Sequence, residues 1–439
     1  MLIFENVWWL LVLIGVMIMI HELGHYWAAR FFDVKVETFS FGFGPRLFGF
    51  RKGETDFRFS AILFGGYVKM AGEQPDDQSV NDPRAFLAKP RWQRLVIAFA
   101  GPFMNICLAI ALLTGLFMVK YQKPTTAEGP AIVGHVSPGT AAAQAGIREG
   151  DIIARLDGKQ DPTWEDVLLK EISNAGRPIP LVLSRGGEQI ITAVTPVLDP
   201  KTGVGLAGWS EQNEIQIAAI LPGMHAEQAG LRKGDVLLSI NGQPIRSTHK
   251  LHEVIRSSGG KPVEILYSRN NVRNKVAVEP TLSNLDGTER YMIGVQLEPR
   301  MVVMQLPFRE ALSESVHQNI KGATLIYQFL RGIVERRMSP KSLEGPIRIA
   351  QLSGDAAREG PGAFVSLMAM VSLNLAVFNL LPIPILDGGV ILLLLVEMTM
   401  RRDLSLTIKE SVFKLGFVFL MAVLAFVLYN DLSKILPPG

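Results

Sequence analysis

Residues 7–25 read VWWLLVLIGVMIMIHELGH, and this stretch decides the fold. An uncharged apolar run leads directly into two histidines and a glutamate. On a helix, residues four apart share one face, so His21 and His25 can direct their imidazoles to one metal ion while Glu22 lies beside them as a base. Buried histidines are commonly structural, but ionisable side chains in a membrane segment are costly and mark functional sites. The stretch therefore predicts a membrane helix that takes part in chemistry with water.

The composition indicates a protein with both membrane-embedded and aqueous parts. The chain has 439 residues, of which 48% are hydrophobic and 19% are charged, so it is too apolar for an average soluble protein. Its net charge of +3 is small and its basic residues are dispersed, which argues against binding to nucleic acid.

The single cysteine, Cys107, excludes an internal disulfide. Glu5 replaces the basic start of a signal peptide, so the first apolar segment is predicted to be retained.

Four segments are apolar enough to be membrane spans. They are approximately Val7 to Phe31, Leu95 to Val119, Ala363 to Leu386 and Val412 to Tyr429. The second contains Pro102 and Asn105, and the fourth is predicted to be short. Residues 389–398 are apolar but too short to span alone, so they are predicted to continue the third segment as a broken helix.

Lysine and arginine flank these spans unevenly. They follow the first span, precede the second and lie between the third and fourth, at Arg30, Lys35, Lys89, Arg91, Arg94, Arg401, Arg402 and Lys409. Loops rich in these residues stay in the cytoplasm. We therefore expect both termini and residues 120–362 in the periplasm of a bacterium with two membranes. The chain would be a multi-pass inner-membrane protein with HELGH toward the cytoplasmic side.

The region from residue 120 to residue 362 contains an internal repeat. AGIREGDII at residues 145–153 is matched by AGLRKGDVL at residues 229–237, and a glycine-containing turn follows each copy. The pattern resembles PDZ domains, which bind an extended peptide at a sheet edge. We predict two periplasmic PDZ-like α+β domains, at residues 124–212 and 213–305. The alternative is that the repeats act only as spacers.

A helical connector is predicted at residues 306–361. Within it, Arg309 to Arg337 has apolar residues at helical spacing, while Lys321 and Arg331 argue against a membrane span. The helix is expected to pack on a PDZ-like domain, or else to lie along the membrane surface. Residues 1–123 and 362–439 would then form the membrane domain, with two spans in each.

HELGH supplies two metal ligands, whereas a catalytic zinc usually has three from the protein. The other histidines lie in the region predicted to be soluble, which leaves Asp387 and Glu397 as acids in apolar segments. Prolines and glycines interrupt the helix around Asp387, and irregular backbone at membrane depth is buried in protein or lines a cavity. Asp387 is therefore favoured. For Glu397, an interfacial salt bridge with Arg401 or Arg402 is the simpler role.

HExxH in the first span, followed by N-x-x-P-x-P-x-L-D-G at residues 379–388, is similar to the paired signature of site-2 proteases, which are intramembrane zinc metalloproteases. Two PDZ-like modules between the second and third of four spans resemble the bacterial RseP type of that family. The resemblance implies that His21, His25 and Asp387 bind zinc and that Glu22 is the general base.

Substrate contacts are expected from two further places. The resemblance implies that Asn379 binds substrate or stabilises the oxyanion. For Asn374, a hydrogen bond between helices is the favoured alternative. Phe39 to Phe43 and Phe57 to Leu63 alternate like strands, with Gly42, Phe43 and Gly44 at a turn point. The resemblance implies a membrane-reentrant β element that presents its edge to substrate, and a hairpin on the cytoplasmic membrane face is equally compatible with the sequence.

The expected activity is zinc-dependent cleavage of single-span membrane proteins within or near the lipid bilayer. The resemblance implies that the substrates are an anti-sigma factor already trimmed in the periplasm and remnant signal peptides, in envelope-stress signalling. The PDZ-like grooves could bind peptide termini or exclude bulky substrates. Two alternatives are a metal transporter that uses the same histidines and aspartate, and a PDZ scaffold with an inactive metal site.

Overall fold

The computed structural model describes residues 2–73, 82–127, 129–200, 202–283, 289–340 and 343–435. The chain divides into two compact units. One consists of Met1–Tyr121, Gln305–Tyr327 and Leu343–Gly439, and the other of Gln122–Met304 and Gln328–Ser342. The apolar helices lie in the first unit and most strands in the second.

The helices follow in chain order. They are α1 (Leu2–Phe31), α2 (Arg91–Val119), α3 (Ala141–Gln144), α4 (Trp164–Ser173), α5 (His225–Gln228), α6 (Thr248–Ser257), α7 (Phe308–Val334), α8 (Pro346–Glu359), α9 (Pro361–Asn379), α10 (Asp387–Met400) and α11 (Leu406–Ile435).

The strands follow in the same way. They are β1 (Val36–Lys52), β2 (Thr55–Met70), β3 (Tyr121–Pro124), β4 (Val133–Val136), β5 (Ile152–Leu156), β6 (Lys159–Gln160), β7 (Ile179–Arg185), β8 (Glu188–Val194), β9 (Val197–Leu198), β10 (Gly205–Leu206), β11 (Trp209–Glu211), β12 (Ile215–Ile220), β13 (Val236–Ile240), β14 (Gln243–Pro244), β15 (Val263–Arg269), β16 (Val272–Val278), β17 (Thr281–Ser283), β18 (Arg290–Met292), β19 (Val295–Pro299) and β20 (Met301–Met304).

Among the residues described, four helices are long and apolar enough to cross a membrane: α1, α2, α9 and most of α11. This confirms the four predicted spans and an integral membrane protein. The prediction of a short fourth span is wrong, because α11 has 30 residues. Its polar N-terminal part is stabilised by ion pairs, with Lys409 Nζ 2.6 Å from Glu397 Oε1 and Lys414 Nζ 3.5 Å from Glu410 Oε2. The helix can therefore extend beyond its apolar stretch.

The third predicted span is interrupted earlier than expected. Helix α9 ends at Asn379, and residues 380–386 form turns before α10 begins at Asp387. Pro382 and Pro384 lie in this break and cannot donate the backbone hydrogen bonds that would continue the helix. The stretch expected to continue the third segment is thus a separate helix of 14 residues.

Helices α1, α2, α8, α9 and α10 pack around one another in the first unit. Leu13, Met17, Phe364 and Met368 form a buried apolar cluster between α1 and α9. Helix α1 comes very close to α2 at Gly24, where a Cβ would lie 2.3 Å from the Ala100 carbonyl oxygen. Gly24 lies between His21 and His25, so this close approach holds the turn that carries both histidines against α2.

The strands β1 and β2 are longer than the predicted segments, and they bend so that residues 36–41 pair with residues 66–70 on one side and with residues 56–59 on the other. The turn between them lies at residues 53–54. Gly42 and Gly44, with φ angles of 94° and 86°, lie where β1 reverses its direction, as the predicted turn point requires. Before them, residues 38–41 run parallel to residues 56–59, and after them, residues 48–52 run antiparallel to residues 55–59.

The predicted connector contains two helices. Helix α7 agrees with the amphipathic helix predicted at Arg309 to Arg337, whereas α8 was not predicted. The carboxylate of Asp431, on α11, accepts hydrogen bonds from the backbone N–H groups of Gly345, Ile347 and Arg348 at 2.9, 3.1 and 3.2 Å. The N-terminus of α8 is therefore capped by a residue distant in sequence, which local patterns do not reveal.

The two sequence repeats of the second unit make the same contacts. Asp151 accepts two hydrogen bonds of 2.7 Å from Arg185, and Asp235 accepts two of 2.7 Å from Arg269. Both aspartates are 1% exposed. One repeat forms a sheet in the order β6-β5-β7-β8, and the other a sheet in the order β16-β15-β13-β12-β19. Each sheet has its own buried apolar cluster.

These equivalent ion pairs give a prediction with an internal control. Asp151→Ala removes two charge-assisted hydrogen bonds and should destabilise its sheet by about 2 kcal/mol. Amides of β5, β7 and β8 should then exchange with solvent about 30-fold faster, measured by hydrogen–deuterium exchange on the full chain. Asp235→Ala should have the same effect on β13, β15 and β16 instead. If either variant raised amide exchange equally in both sheets, the two sheets would not have independent cores.

Candidate active site

The two histidines of α1 meet an aspartate from α10. The Nε2 atoms of His21 and His25 are 3.2 Å apart. Oδ2 of Asp387 lies 3.1 Å from Nε2 of His21, and Oδ1 lies 3.4 Å from Nε2 of His25. Both imidazoles are buried. Within the described ranges, this is the one group of three or more possible metal ligands whose donor atoms all lie within 4.8 Å of one another.

The donor atoms of this group fit a zinc ion. Zinc binds imidazole nitrogen and carboxylate oxygen at about 2.0–2.1 Å, and tetrahedral geometry then separates the donor atoms by about 3.3 Å. The two Nε2 atoms are 3.2 Å apart, and the Asp387 carboxylate places Oδ2 3.1 Å from that of His21 and Oδ1 3.4 Å from that of His25. Three ligands from the protein leave a fourth position for water, as in catalytic zinc sites.

The break before α10 brings Asp387 to the histidines. Within residues 380–386, Ile385 has a φ of 85°, which is rare for a β-branched residue. At Gly388, a Cβ would lie 2.2 Å from the Leu381 carbonyl oxygen. Only glycine therefore lets α10 begin so close to the preceding turn. Asp387 is in the first turn of α10, where the helix dipole stabilises a carboxylate.

Helix α2 contacts the ring nitrogens that face away from the metal position. Nδ1 of His25 lies 2.8 Å from the Ile97 carbonyl oxygen, and Nδ1 of His21 lies 3.2 Å from Nδ2 of Asn105. The carbonyl accepts a hydrogen bond from Nδ1 of His25, which leaves Nε2 free to bind a metal. Gly101 makes room for the rings, since a Cβ there would lie 2.3 Å from Nε2 of His25.

Sequence reasoning did not assign these α2 residues to the site. Gly101 and Asn105 are four residues apart and therefore share one helix face, which is the one signal that the sequence offers. That spacing does not show which helix the face contacts. Glu73 was also missed, and it lines the same cavity as the metal-binding group, close to the end of β2.

The metal-binding group opens into a cavity of about 460 Å³. Glu22 lies on the wall of this cavity and packs against β2, because a Cβ at Gly66 would lie 3.2 Å from Cγ of Glu22. Asn379 and Phe43 line the cavity as well. The structure thus brings together three possible metal ligands, the Glu22 carboxylate, which can act as a base, and the Asn379 amide, which can donate hydrogen bonds.

Other expected site residues lie elsewhere in the described part of the chain. Gly42 and Gly44 belong to β1 and are not on the cavity wall, and neither is Asn374 of α9. Glu397 is 1% exposed, and its carboxylate accepts hydrogen bonds from Lys409 Nζ at 2.6 Å and the Leu404 N–H at 2.9 Å. The salt bridge expected for Glu397 thus joins it to Lys409.

One strand edge runs along the cavity. Residues 65–68 and Met70 of β2 line it. Residues 66–68 pair with β1 on one side, and no described strand lies on their other side. The ring of Tyr67 stacks on Phe43 with centroids 6.1 Å apart, and both residues line the cavity. A strand edge without a neighbouring strand can accept an extended peptide.

The profile of Peptidase family M50 matches residues 9–423 of the chain. A protein from Xylella fastidiosa named as a zinc metalloprotease is 32% identical over 98% of this chain and 99% of its own length. The regulator of sigma-E protease RseP from Salmonella typhimurium is 28% identical over 97% of this chain and 98% of its own length.

One solved structure is also similar to part of the chain. The PDZ domain of the SdrC-like protein from Listeria monocytogenes is 21% identical over 19% of this chain and 87% of its own, with a TM-score of 0.18.

Removing the aspartate tests the metal centre directly. Asp387→Ala leaves two ligands. Loss of a residue that only supports a ligand weakens metal binding by about 10–100-fold, so loss of the ligand itself should weaken zinc binding by more than about 100-fold. Zinc content after dialysis against chelator should fall from about one ion per chain to a small fraction. Asp403→Ala is the control, because Asp403 pairs with Arg91 and Arg94 away from the histidines. Equal zinc retention by both variants would contradict the assignment.

Proposed function

The chain belongs to Peptidase family M50 and is a zinc metalloprotease, and from this we propose that it cleaves single-span membrane proteins at a site inside the bilayer. One observation carries the proposal. His21, His25 and Asp387 converge between helices long and apolar enough to span a membrane, and Glu22 lies in the same cavity. A hydrolytic site is expected there because ionisable groups are rarely buried at membrane depth without a function.

In the proposed reaction, His21, His25 and Asp387 hold the zinc ion and Glu22 is the general base. When bound, zinc lowers the pKa of water toward neutrality and polarises a carbonyl group. Glu22 takes a proton from water as the water oxygen bonds to the carbonyl carbon. It then gives that proton to the amide nitrogen as the C–N bond breaks. The Asn379 amide, on the cavity wall, donates a hydrogen bond to the developing oxyanion.

A substrate helix must be unwound before it can react, since its carbonyl groups are hydrogen-bonded within the helix. We propose that the unwound segment pairs with the edge of β2 at residues 66–68, which line the cavity. Apolar side chains exposed on β1 and β2 support insertion of this hairpin into the membrane. They include Phe43, Leu47, Phe48, Phe50, Ile62 and Leu63.

For the second unit we propose two PDZ-like domains, at residues 124–212 and 213–305, that lie in the periplasm with both termini. The positions of lysine and arginine beside the spans support this orientation in a bacterial inner membrane. A cavity of about 440 Å³ between α6 and β18–β19 supports peptide binding in the second domain. The name of the Salmonella relative supports substrates of the anti-sigma-factor type in envelope stress, and remnant signal peptides are a second substrate class.

Replacing the base separates a protease from a transporter. Glu22→Gln should lower the cleavage rate of a helical substrate in detergent by about 10²–10⁴-fold, because the amide cannot accept the proton. Zinc content should stay at the wild-type level, since Glu22 is not one of the ligands. The control is the wild-type enzyme with and without chelator. Retained cleavage would contradict the role of Glu22, and zinc flux into vesicles without cleavage would favour a transporter.

Excising the second unit tests whether it excludes untrimmed substrates. The Thr125 N–H donates to the Arg300 carbonyl oxygen at 3.1 Å, so deletion of residues 127–299 joins positions that are already close. The shortened enzyme should cleave substrates that retain their large periplasmic domain, while wild-type enzyme should cleave only trimmed ones. Cleavage of trimmed substrate by both enzymes is the control for folding. A shortened enzyme that still demands trimming would rule out the size filter.

A further inference from the structure

The two histidine ligands have different partners on α2. Nδ1 of His25 faces a backbone carbonyl, which can only accept a hydrogen bond. Nδ1 of His21 faces the side-chain amide of Asn105, which has both a donor and an acceptor end. Asn105 is 0% exposed, and its Oδ1 has no hydrogen-bond partner among the described residues. A buried acceptor without a partner is costly, so its position beside a metal ligand requires an explanation.

Zinc ligation determines which end of the amide must face His21. An imidazole that binds zinc through Nε2 is neutral and carries its proton on Nδ1. That N–H needs an acceptor, whereas Nδ2 of Asn105 can only donate. Because the two ends of an amide have nearly the same shape, a half-turn of the amide plane places Oδ1 at the hydrogen-bonding position. The half-turn gives Oδ1 a partner and moves Nδ2 to the position without one, so the tautomer that zinc requires, rather than the number of hydrogen bonds, favours this orientation.

We propose that Asn105 is a positioning residue for zinc, whose Oδ1 accepts the Nδ1–H of His21 and holds the imidazole in its metal-binding tautomer. The role rests on the zinc centre of the proposed function. With Ile97 on His25 and Asn105 on His21, α2 supplies an outer partner to each histidine ligand. Such partners orient the rings and make the nitrogens better ligands.

The backbone of Asn105 makes a contact with α9 that is separate from its side-chain contact with His21. The Ser372 hydroxyl of α9 donates to the Asn105 carbonyl oxygen at 2.9 Å, and both residues are buried. Gly101, one turn earlier on the same face, brings the α2 backbone against the two imidazoles. A hydrogen bond that merely joined two helices would be the ordinary role of a buried asparagine in a membrane. Here the side-chain partner is the ring nitrogen of a metal ligand.

The test measures zinc affinity by chelator competition, using the full chain in detergent. Asn105→Leu keeps the volume but removes the acceptor, and it should weaken zinc binding by about 10–100-fold. Asn105→Asp keeps an oxygen acceptor and should bind zinc within about threefold of the wild type. Ser372→Ala is the matched control, because it breaks the bond between α2 and α9 and leaves the amide in place. If the leucine variant does not fold, Asn105→Ala is used in its place, because it also removes the acceptor.

Each outcome bears on the proposal. Weak binding by Asn105→Leu, with near-normal binding by Asn105→Asp and Ser372→Ala, would support it, as would altered visible absorption of bound Co²⁺ in the leucine variant alone. Equal loss in the leucine and aspartate variants would overturn it, since packing would then explain the effect. Wild-type affinity in Asn105→Leu would also overturn it while leaving the zinc centre intact. Failure of the wild type to bind zinc would instead overturn the centre itself, and the positioning role with it.

Discussion

Two imidazoles and a carboxylate can be buried together among apolar helices only if each has a partner, and the arrangement of the membrane unit depends on this constraint. His21 and His25 come from one uninterrupted helix, so α1 alone cannot supply a third ligand on the same face. Asp387 can approach them because the chain breaks before α10, which places a carboxylate at a helix start rather than on a helix side. A continuous third span would have carried that carboxylate farther along its own axis.

The arrangement of these three side chains also requires close contact between α1 and α2. Gly24 brings α1 against the α2 backbone, and Gly101 brings α2 against the imidazoles. In lipid, helix association depends on such small residues because no hydrophobic effect drives it. Pro102 follows directly and removes one backbone hydrogen bond of α2. The contact surface therefore consists largely of backbone, which is why the partner of His25 is a carbonyl group rather than a side chain.

The sequence allowed the metal-binding group and the four spans to be predicted, because HExxH spacing, long apolar runs and an interrupted span each have one simple physical explanation. Other features depended on pairing between distant segments. The prolines and glycines around Asp387 indicated that a helix is interrupted, but they did not indicate where α10 begins. Helix α8 is capped by Asp431, and β1 pairs with two parts of β2, so no local pattern indicates either. From the sequence, Asn105 is a polar residue within a predicted span. Its contact with His21 depends on which face of α2 packs against α1.

The edge of β2 at residues 66–68, beside which no described strand lies, gives the proposed chemistry a physical basis inside a membrane. Unwinding a substrate helix in lipid exposes N–H and C=O groups, each of which costs several kcal/mol when left without a partner. A strand edge beside Glu22 can supply those partners at the place where the peptide must be extended. The same hairpin exposes apolar side chains, and pairing between β1 and β2 satisfies its inner backbone groups, so it is suited to the hydrocarbon region with one edge left for the substrate. In the proposed function the hairpin and the helices therefore act together: the helices hold the hydrolytic site at membrane depth, and the strand edge makes a peptide bond accessible there.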